Sequence, residues 1–305
     1  MNTAPGSGST VVVVGSANID QVFRVVTIPA PGETVMATGA SSARGGKGQN
    51  QAVAAARAGA STCLIAAVGG DEFGRRTLVG LTEDGVDVSL VRTVDAPTGT
   101  ALITVDTGGE NTIIVDAGAN AGLMGLSGGD EVVIRAAGVL VMQLEIPLET
   151  VAAAARIAQE GGTTVILNAA PIRDLSVNLL ADVDILVVNE HEAAYLAGAD
   201  EVSALARTVI VTLGSAGAVM YERGSAEIRV PAPRVKAVDA TGAGDTFCGA
   251  LAASLAAGSD VQSSLRFAVA AASLSVQHEG AVPSIPRRAD IVDALVTGNE
   301  QPQGA

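Results

Sequence analysis

Six short aliphatic runs, at residues 11–14, 64–68, 139–142, 165–167, 185–188 and 209–212, recur along this chain with Ala-rich stretches of helical length between and after them. Each run is apolar at nearly every position rather than at alternate ones, so a strand made from it needs cover on both faces. Buried strands separated by helices build a mostly parallel sheet in a layered α/β architecture. Helices are predicted over 49–58, 148–159, 243–256 and 261–276, with Gly59, Gly161 and Gly258 at C-terminal cap positions. Only 2% of residues are aromatic against 48% hydrophobic, so the core has to be built from Ala, Val, Leu and Ile. A chain of 305 residues is long enough to bury such a core well.

Two regions break the alternation. Residues 19–27 with 33–42, and 99–105 with 111–116, read as antiparallel pairs, the second joined by a turn at Thr107, Gly108, Gly109 and Glu110. They predict a small sheet flap. No repeat of 20 to 50 residues and no Pro-rich linker divides the chain, so one α/β domain over 11–296 with an inserted flap is expected. Residues 1–10 and 297–305 are poor in apolar side chains and are expected to lack fixed structure.

Charge narrows the function. Lys and Arg total 18 against 32 Asp and Glu, a formal charge of −14, and the cations form no run, which disfavours nucleic-acid binding. No uncharged apolar run reaches the ~18 residues of a membrane span. The first basic residue is Arg24, unlike the start of a signal peptide, so a cytoplasmic location is expected. Cys63 and Cys248 lie far apart with no C-x-x-C spacing and read as buried thiols.

The strongest local motif is Ala240-Thr241-Gly242-Ala243-Gly244-Asp245-Thr246, which opens an Ala-rich helix. Glycine-rich backbone at a helix N-terminus offers free amides to an anion such as a phosphoryl group. A carboxylate at that position costs Coulomb energy unless it acts, and the action that fits is removal of a proton from a substrate hydroxyl during phosphoryl transfer. The alternative is a carboxylate that only complements the helix dipole. A second Gly-rich helix entry, Arg44-Gly45-Gly46-Lys47-Gly48-Gln49-Asn50-Gln51, is not a Walker A loop, since Gly48 follows Lys47 where Ser or Thr is required. Its glycine amides, the Lys47 ammonium and the Asn50 carboxamide suit a polyhydroxylated ligand, or else the segment is a plain helix cap. Asn18 and Asp20 share one face of an extended segment after the first strand, and open α/β sheets bind ligands at the carboxyl ends of their strands. Glu145 follows another strand and could accept hydroxyl hydrogen bonds, or simply begin a loop. Asn189 and Glu192 share a helix face and suit a hydrated Mg²⁺, or a charged first turn. His191 and His278 are the only histidines and form no zinc pair. The turn Thr212-Leu213-Gly214-Ser215-Ala216-Gly217 lets backbone approach a nucleotide but lacks the spacing of a nucleophile elbow.

Taken with Gly118-Ala119-Asn120-Ala121, Met142-Gln143-Leu144-Glu145 and Asn168-Ala169-Ala170-Pro171, these stretches resemble the ribokinase-like (phosphofructokinase-B type) sugar kinases, over nearly the whole body of the chain. The resemblance implies a three-layer α/β/α fold with a β-sheet lid from segments near 19–44 and 99–116, whose packing against a second lid gives a homodimer. It implies ATP-dependent phosphorylation of D-ribose at the 5-hydroxyl. Asn18, Asp20, Gly46, Lys47, Gly48, Gln49, Asn50 and Glu145 would bind the sugar, and Asp245 would be the base, beside an anion cradle at Gly242, Ala243 and Gly244. Asn189, Thr212 to Gly217, Gly244 and Val269 would line the ATP site, and Asn189 with Glu192 would associate with Mg²⁺. A monovalent cation, K⁺, would be held by Asp239, Thr241, Ser275, His278, Gly280 and Ser284. The alternatives are a kinase of the same family for deoxyribose, a nucleoside or another sugar, a non-catalytic sugar sensor, and a nicotinamide oxidoreductase, the last disfavoured because Gly15-Ser16-Ala17-Asn18 lacks the dinucleotide fingerprint.

Overall fold

The computed structural model describes residues 10–198 and 201–299. Its first half runs β1 (Thr10–Val14), β2 (Asn18–Arg24), β3 (Gly39–Gly45), α1 (Lys47–Arg57), β4 (Ser61–Gly69), α2 (Glu72–Glu83), β5 (Val86–Asp87), β6 (Val91–Val94), β7 (Gly99–Val105) and β8 (Asn111–Asp116). Then follow α3 (Gly128–Ala136), β9 (Val139–Met142), α4 (Leu148–Gly161), β10 (Thr164–Asn168), α5 (Val177–Ala181), β11 (Ile185–Asn189) and α6 (Glu190–Ala197). The last part is β12 (Thr208–Thr212), β13 (Ala218–Glu222), β14 (Ile228–Val230), α7 (Ala243–Ala256), α8 (Val261–Ser275), α9 (Ala281–Ser284) and α10 (Arg288–Asn299).

The larger sheet has the order β14-β13-β12-β11-β10-β9-β1-β4-β5, with β6 also paired to β4. All six aliphatic runs are parallel strands within it, and only β13 and β14 at one edge are antiparallel. The two-residue period of a strand sends alternate valines of β1 to opposite faces. Val11 and Val13 join a core with α1, α7, α8 and α10, while Val12 and Val14 join a second core with α3, α4, α5 and α6. Both faces are thus covered, which is why these strands tolerate no polar alternation.

The two predicted antiparallel pairs exist but are fused. β2 and β7 pair in parallel from Asn18↔Gly99 to Arg24↔Val105, giving one four-stranded sheet of order β3-β2-β7-β8. The returning strand of the first pair begins at Gly39 rather than at residue 33. Pro29 and Pro31 withhold backbone donors, Glu33 closes a turn onto Ala30, and pairing resumes only where Thr38 N donates to Arg24 O at 2.8 Å.

Helix ends mostly match expectation, since Gly59 and Gly258 carry positive φ just after α1 and α7. At the end of α4 the left-handed residue is Gly162 instead of Gly161. Gly161 stays helical and lies against α3, where an added Cβ would stand 2.7 Å from Arg135 Cα. Parts of the two ends expected to lack structure are regular, because Thr10 pairs with Ser61 and α10 extends through residues 297–299. Residues 1–9 and 300–305 lie outside the described residues.

One carboxylate fastens the small sheet to the helices beneath it. Asp84, after α2, accepts from Arg44 of β3 at 2.5 Å and from Arg57 of α1 at 2.7 Å, and Arg57 also donates to the carbonyls of Val282 and Ile285 beside α9. Burial works against the Asp84 charge, but hydrogen bonds from the two arginines outweigh it and hold the carboxyl below the usual range.

Candidate active site

The chain leaves β1 for β4 on one side and returns to β9 on the other, so the carboxyl end of β1 is the switch point of the sheet. The predicted sugar-side residues converge there. Glu145, after β9, accepts from Ser16 Oγ at 2.6 Å and from Lys47 N at 2.9 Å, and Ser16 Oγ in turn accepts from Gly48 N at 3.2 Å. Asn120 Nδ2 donates to Asn18 Oδ1 at 2.6 Å, and Ala17 N donates to Asn120 Oδ1 at 2.9 Å. Gln49 behaves differently from its neighbours: its Nε2 donates to the carbonyls of Asn18 and Gly45, so its amide secures the loop from behind.

Asp245 enters this cluster from the other end of the chain. Gly242 adopts φ 74°, a left-handed conformation suited to glycine, and turns the backbone into α7. The Gly244 and Asp245 amides lie in the first turn, where a helix supplies no internal acceptors. Asp245 is only 6% exposed, and its Oδ2 accepts from Asn50 Nδ2 at 3.0 Å while its Oδ1 accepts from Gln51 Nε2 at 2.9 Å. The close approach of α7 to α1 depends on Gly249, where a Cβ would stand 2.5 Å from both Ala54 Cβ and Gln51 O.

Three carboxylates and one ammonium share the cleft. Burial first, then the charges of Glu145 and Asp245, push the Asp20 carboxyl up to about 6. Lys47 is raised from the usual ammonium value by Asp245 above all, with burial opposing and Glu145 and Glu192 assisting. Because the folded value of Asp20 lies above its unfolded value of 3.8, its charged form opposes folding, and that cost grows as pH rises through about 6. Asp20→Asn is therefore expected to raise the melting midpoint of the ligand-free protein by roughly 3 °C at pH 8, with the gain vanishing near pH 4. Thermal melts of both proteins across that range check this, and a gain that grows toward acid pH would contradict it.

Beyond α7 lies a cavity of ≈ 410 Å³, lined among others by Thr212, Gly214, Ser215, Gly217, Ala243, Gly244, Phe247 and Val269. Leu213 and Ala216 belong to the same turn without lining the cavity. Asn189 and Glu192 form a reciprocal capping box on α6, each backbone N–H donating to the other's side chain at 2.8 Å. Burial raises the Glu192 carboxyl, countered by the Asn189 N–H and by the charges of Lys47 and His191. Asp239 Oδ1 accepts from Thr241 N and Oγ1, and its Oδ2 accepts from Gly280 N at 2.8 Å, tying the loop before α7 to the one before α9. Burial opposes the Asp239 charge, but these bonds hold its carboxyl below the usual range. Ser275 and Ser284 each donate to a helix carbonyl and so keep hydroxyl lone pairs available, whereas the His278 side chain is exposed.

Ser16, Gln51, Asn120, Gln143 and Asn168 are buried members of this polar system to which no role is assigned from sequence. The available signal was a polar residue immediately after a fully apolar run, as at Gln143 after β9, or Asn168 closing β10.

A family model described as the pfkB family carbohydrate kinase matches residues 9–288. A ribokinase of Schizosaccharomyces pombe is 41% identical over 90% of this chain and 94% of its own length. A ribokinase of Haemophilus influenzae is 39% identical over 94% of this chain and 98% of its own. Among solved structures, Arabidopsis thaliana ribokinase complexed with ribose and ATP superposes with a TM-score of 0.89 at 34% identity, covering 94% of this chain and 98% of that one.

Proposed function

The chain belongs to the pfkB family of carbohydrate kinases, and from that premise we propose that it transfers the terminal phosphoryl group of ATP to the 5-hydroxyl of D-ribose, giving ribose 5-phosphate and ADP. The observation that carries this reading is a single helical turn serving two compartments: Gly244 lines the cavity sized for a nucleotide, while the next residue, Asp245, reaches into the polar cluster at the end of β1. A hydroxyl donating to Asp245 and a phosphoryl group on the amides of Gly242 to Gly244 would then face each other across one turn.

Sugar hydroxyls suit the cluster because it is short of donors. Asn50 Oδ1 is a buried acceptor without a partner, Asp20 is a largely buried carboxylate, and Glu145 takes its bonds from Ser16 and Lys47 on Oε2, leaving Oε1 open. Asp245 takes the hydroxyl proton as the oxygen attacks the phosphorus in line, and the first-turn amides, aligned with the helix dipole, stabilise the charge on the transferring oxygens. Lys47, kept protonated by the surrounding carboxylates, adds a positive charge beside the acceptor. The apolar wall formed by Phe247 and Val269 accommodates the nucleotide base.

Among the described residues no three His, Cys, Asp or Glu side chains are placed to hold one metal ion, so Mg²⁺ would fit as an ion carried largely by phosphates and water, with Glu192 and Asn189 beside it; when bound it would neutralise phosphate charge. The open lone pairs of Ser275 and Ser284, with Asp239, Thr241, Gly280 and the backbone near His278, fit a K⁺ that supports the loop electrostatically. No helix among the described residues is long and apolar enough to cross a membrane, in keeping with a cytoplasmic site of action. The small sheet acts as the lid, and its exposed Leu102 at 43% and Ile114 at 68%, opposite each other on one face of β7 and β8, support pairing of two lids in a homodimer. Light scattering is expected to give twice the mass of one chain, and Ile114→Asp to halve it; an unchanged mass for the variant would refute this contact.

The function is tested by ADP release with ATP and Mg²⁺ over a panel of ribose, deoxyribose, fructose and nucleosides, in K⁺ or Na⁺. Ribose is expected to exceed every other acceptor by at least about tenfold in kcat/KM, with higher rates in K⁺. A preference for another acceptor would keep the kinase and overturn the substrate, and silence across the panel would favour a sugar sensor.

A further inference from the structure

Asp245 is gripped on its inner side by an amide that the proposed chemistry does not itself use. Gln51 Nε2 donates both to Asp245 Oδ1 at 2.9 Å and to Asn168 Oδ1 at 3.2 Å, while Gln51 Oε1 accepts from Gln143 Nε2 at 2.7 Å. Gln51 and Gln143 are fully buried, and Asn168 is 8% exposed. The direction of this chain is forced. An ionised carboxylate only accepts, so Gln51 must turn its NH₂ toward Asp245. Its carbonyl oxygen then faces away, and the residue meeting it must be a donor, a part filled by Gln143. Asn168 is oriented the same way, since its own Nδ2 donates to Val187 O.

The placement has a structural origin. Gln143 follows β9 and Asn168 ends β10, two adjacent parallel strands, so their side chains leave the sheet side by side. Gln51 comes from the first turns of α1, which packs on α7. Two strand ends therefore clamp one carboxamide, and that carboxamide clamps the carboxylate.

We infer that Gln51, oriented by Gln143 and Asn168, is a positioning residue for phosphoryl transfer: it fixes the rotation of the Asp245 carboxylate, leaving Asn50 to tie the other oxygen to the sugar loop. The inference rests on Asp245 being the base.

The test compares Gln51→Met and Gln143→Met, both near in volume and lacking the donor, with Asp245→Asn, by steady-state kinetics with ribose and ATP. Gln51→Met is expected to lower kcat about 30-fold with KM for ribose within about threefold. Gln143→Met is expected to lower kcat by less, again with KM little changed, and the double variant to be no worse than Gln51→Met, because the two residues act in series. If Asp245→Asn is inactive while Gln51→Met turns over within twofold of the parent, the positioning role is refuted and the base remains. If Asp245→Asn stays active, the reading of the base falls first. Should Gln51→Met not fold, an unchanged kcat in Gln143→Met refutes the inference alone.

Discussion

Asp245→Asn is expected to lower kcat by about 10³- to 10⁴-fold while ribose affinity changes by less than about tenfold. The substitution keeps the shape of the side chain and removes its basicity. Asp245 accepts from Asn50 on one oxygen and from Gln51 on the other, so an amide in its place turns its NH₂ toward one of these donors and loses that bond. That loss accounts for the modest change in binding. The large loss in turnover reflects the absence of any other ionisable group placed to replace it: Asp20 and Glu145 share the cleft, but Glu145 already accepts from Ser16 and Lys47, and Asp20 lies on β2 rather than at the helix start. Initial rates with titration calorimetry for ribose separate the two effects. Turnover within tenfold of the parent would remove Asp245 from the chemistry.

Gly249→Ala is expected to destabilise the protein by about 1–3 kcal/mol and to depress kcat, although it lies a full turn beyond Asp245 and touches no substrate. In an exposed helix interior the same change would stabilise by roughly 0.5–1 kcal/mol, because alanine loses less backbone entropy than glycine. Here the sign reverses. The new methyl would meet Ala54 Cβ and the Gln51 carbonyl at 2.5 Å, and both sit on α1, whose backbone cannot yield without moving Asn50 and Gln51 away from Asp245. Denaturant unfolding and steady-state kinetics on the same preparation check this. A variant more stable than its parent with unchanged kcat would show that α1 and α7 have room between them.

How much of this could be seen in advance differs by element. The six central strands were legible because burial on both faces leaves only aliphatic residues, a pattern local to each run. β13 and β14 were not, since the two are short, five and three residues, and mix Tyr221, Glu222 and Arg229 with aliphatic side chains. The helices α2 and α3 escape notice for a different reason: each is polar on one side, with Asp71 or Ser127 as an N-cap that resembles ordinary loop sequence. The parallel pairing of β2 with β7 could not be read locally, because it joins residues about eighty positions apart. The same holds for the site. Lys47, Asn50 and Asp245 announce themselves through glycine-rich helix entries, whereas Gln51 acquires its role only when β9, β10 and α7 meet around it, at separations of 92, 117 and 194 residues.

The pairing of α1 with α7 has a consequence for how the chain is made. Two helices that complete one pocket are separated in synthesis, with Arg57 ending the first and Ala256 the second. At the usual pace of a ribosome, about 5–20 residues per second, the interval between them is roughly 10–40 s. Throughout it the alanine face of α1 has no α7 to cover it, and the acidic half of the cleft, Asp20 and Glu145, stands without its partner helix. The proposed base, Asp245, and the first-turn amides beside it arrive together on a late segment, so a nascent chain released early is an apolar surface in search of cover and not a slow enzyme.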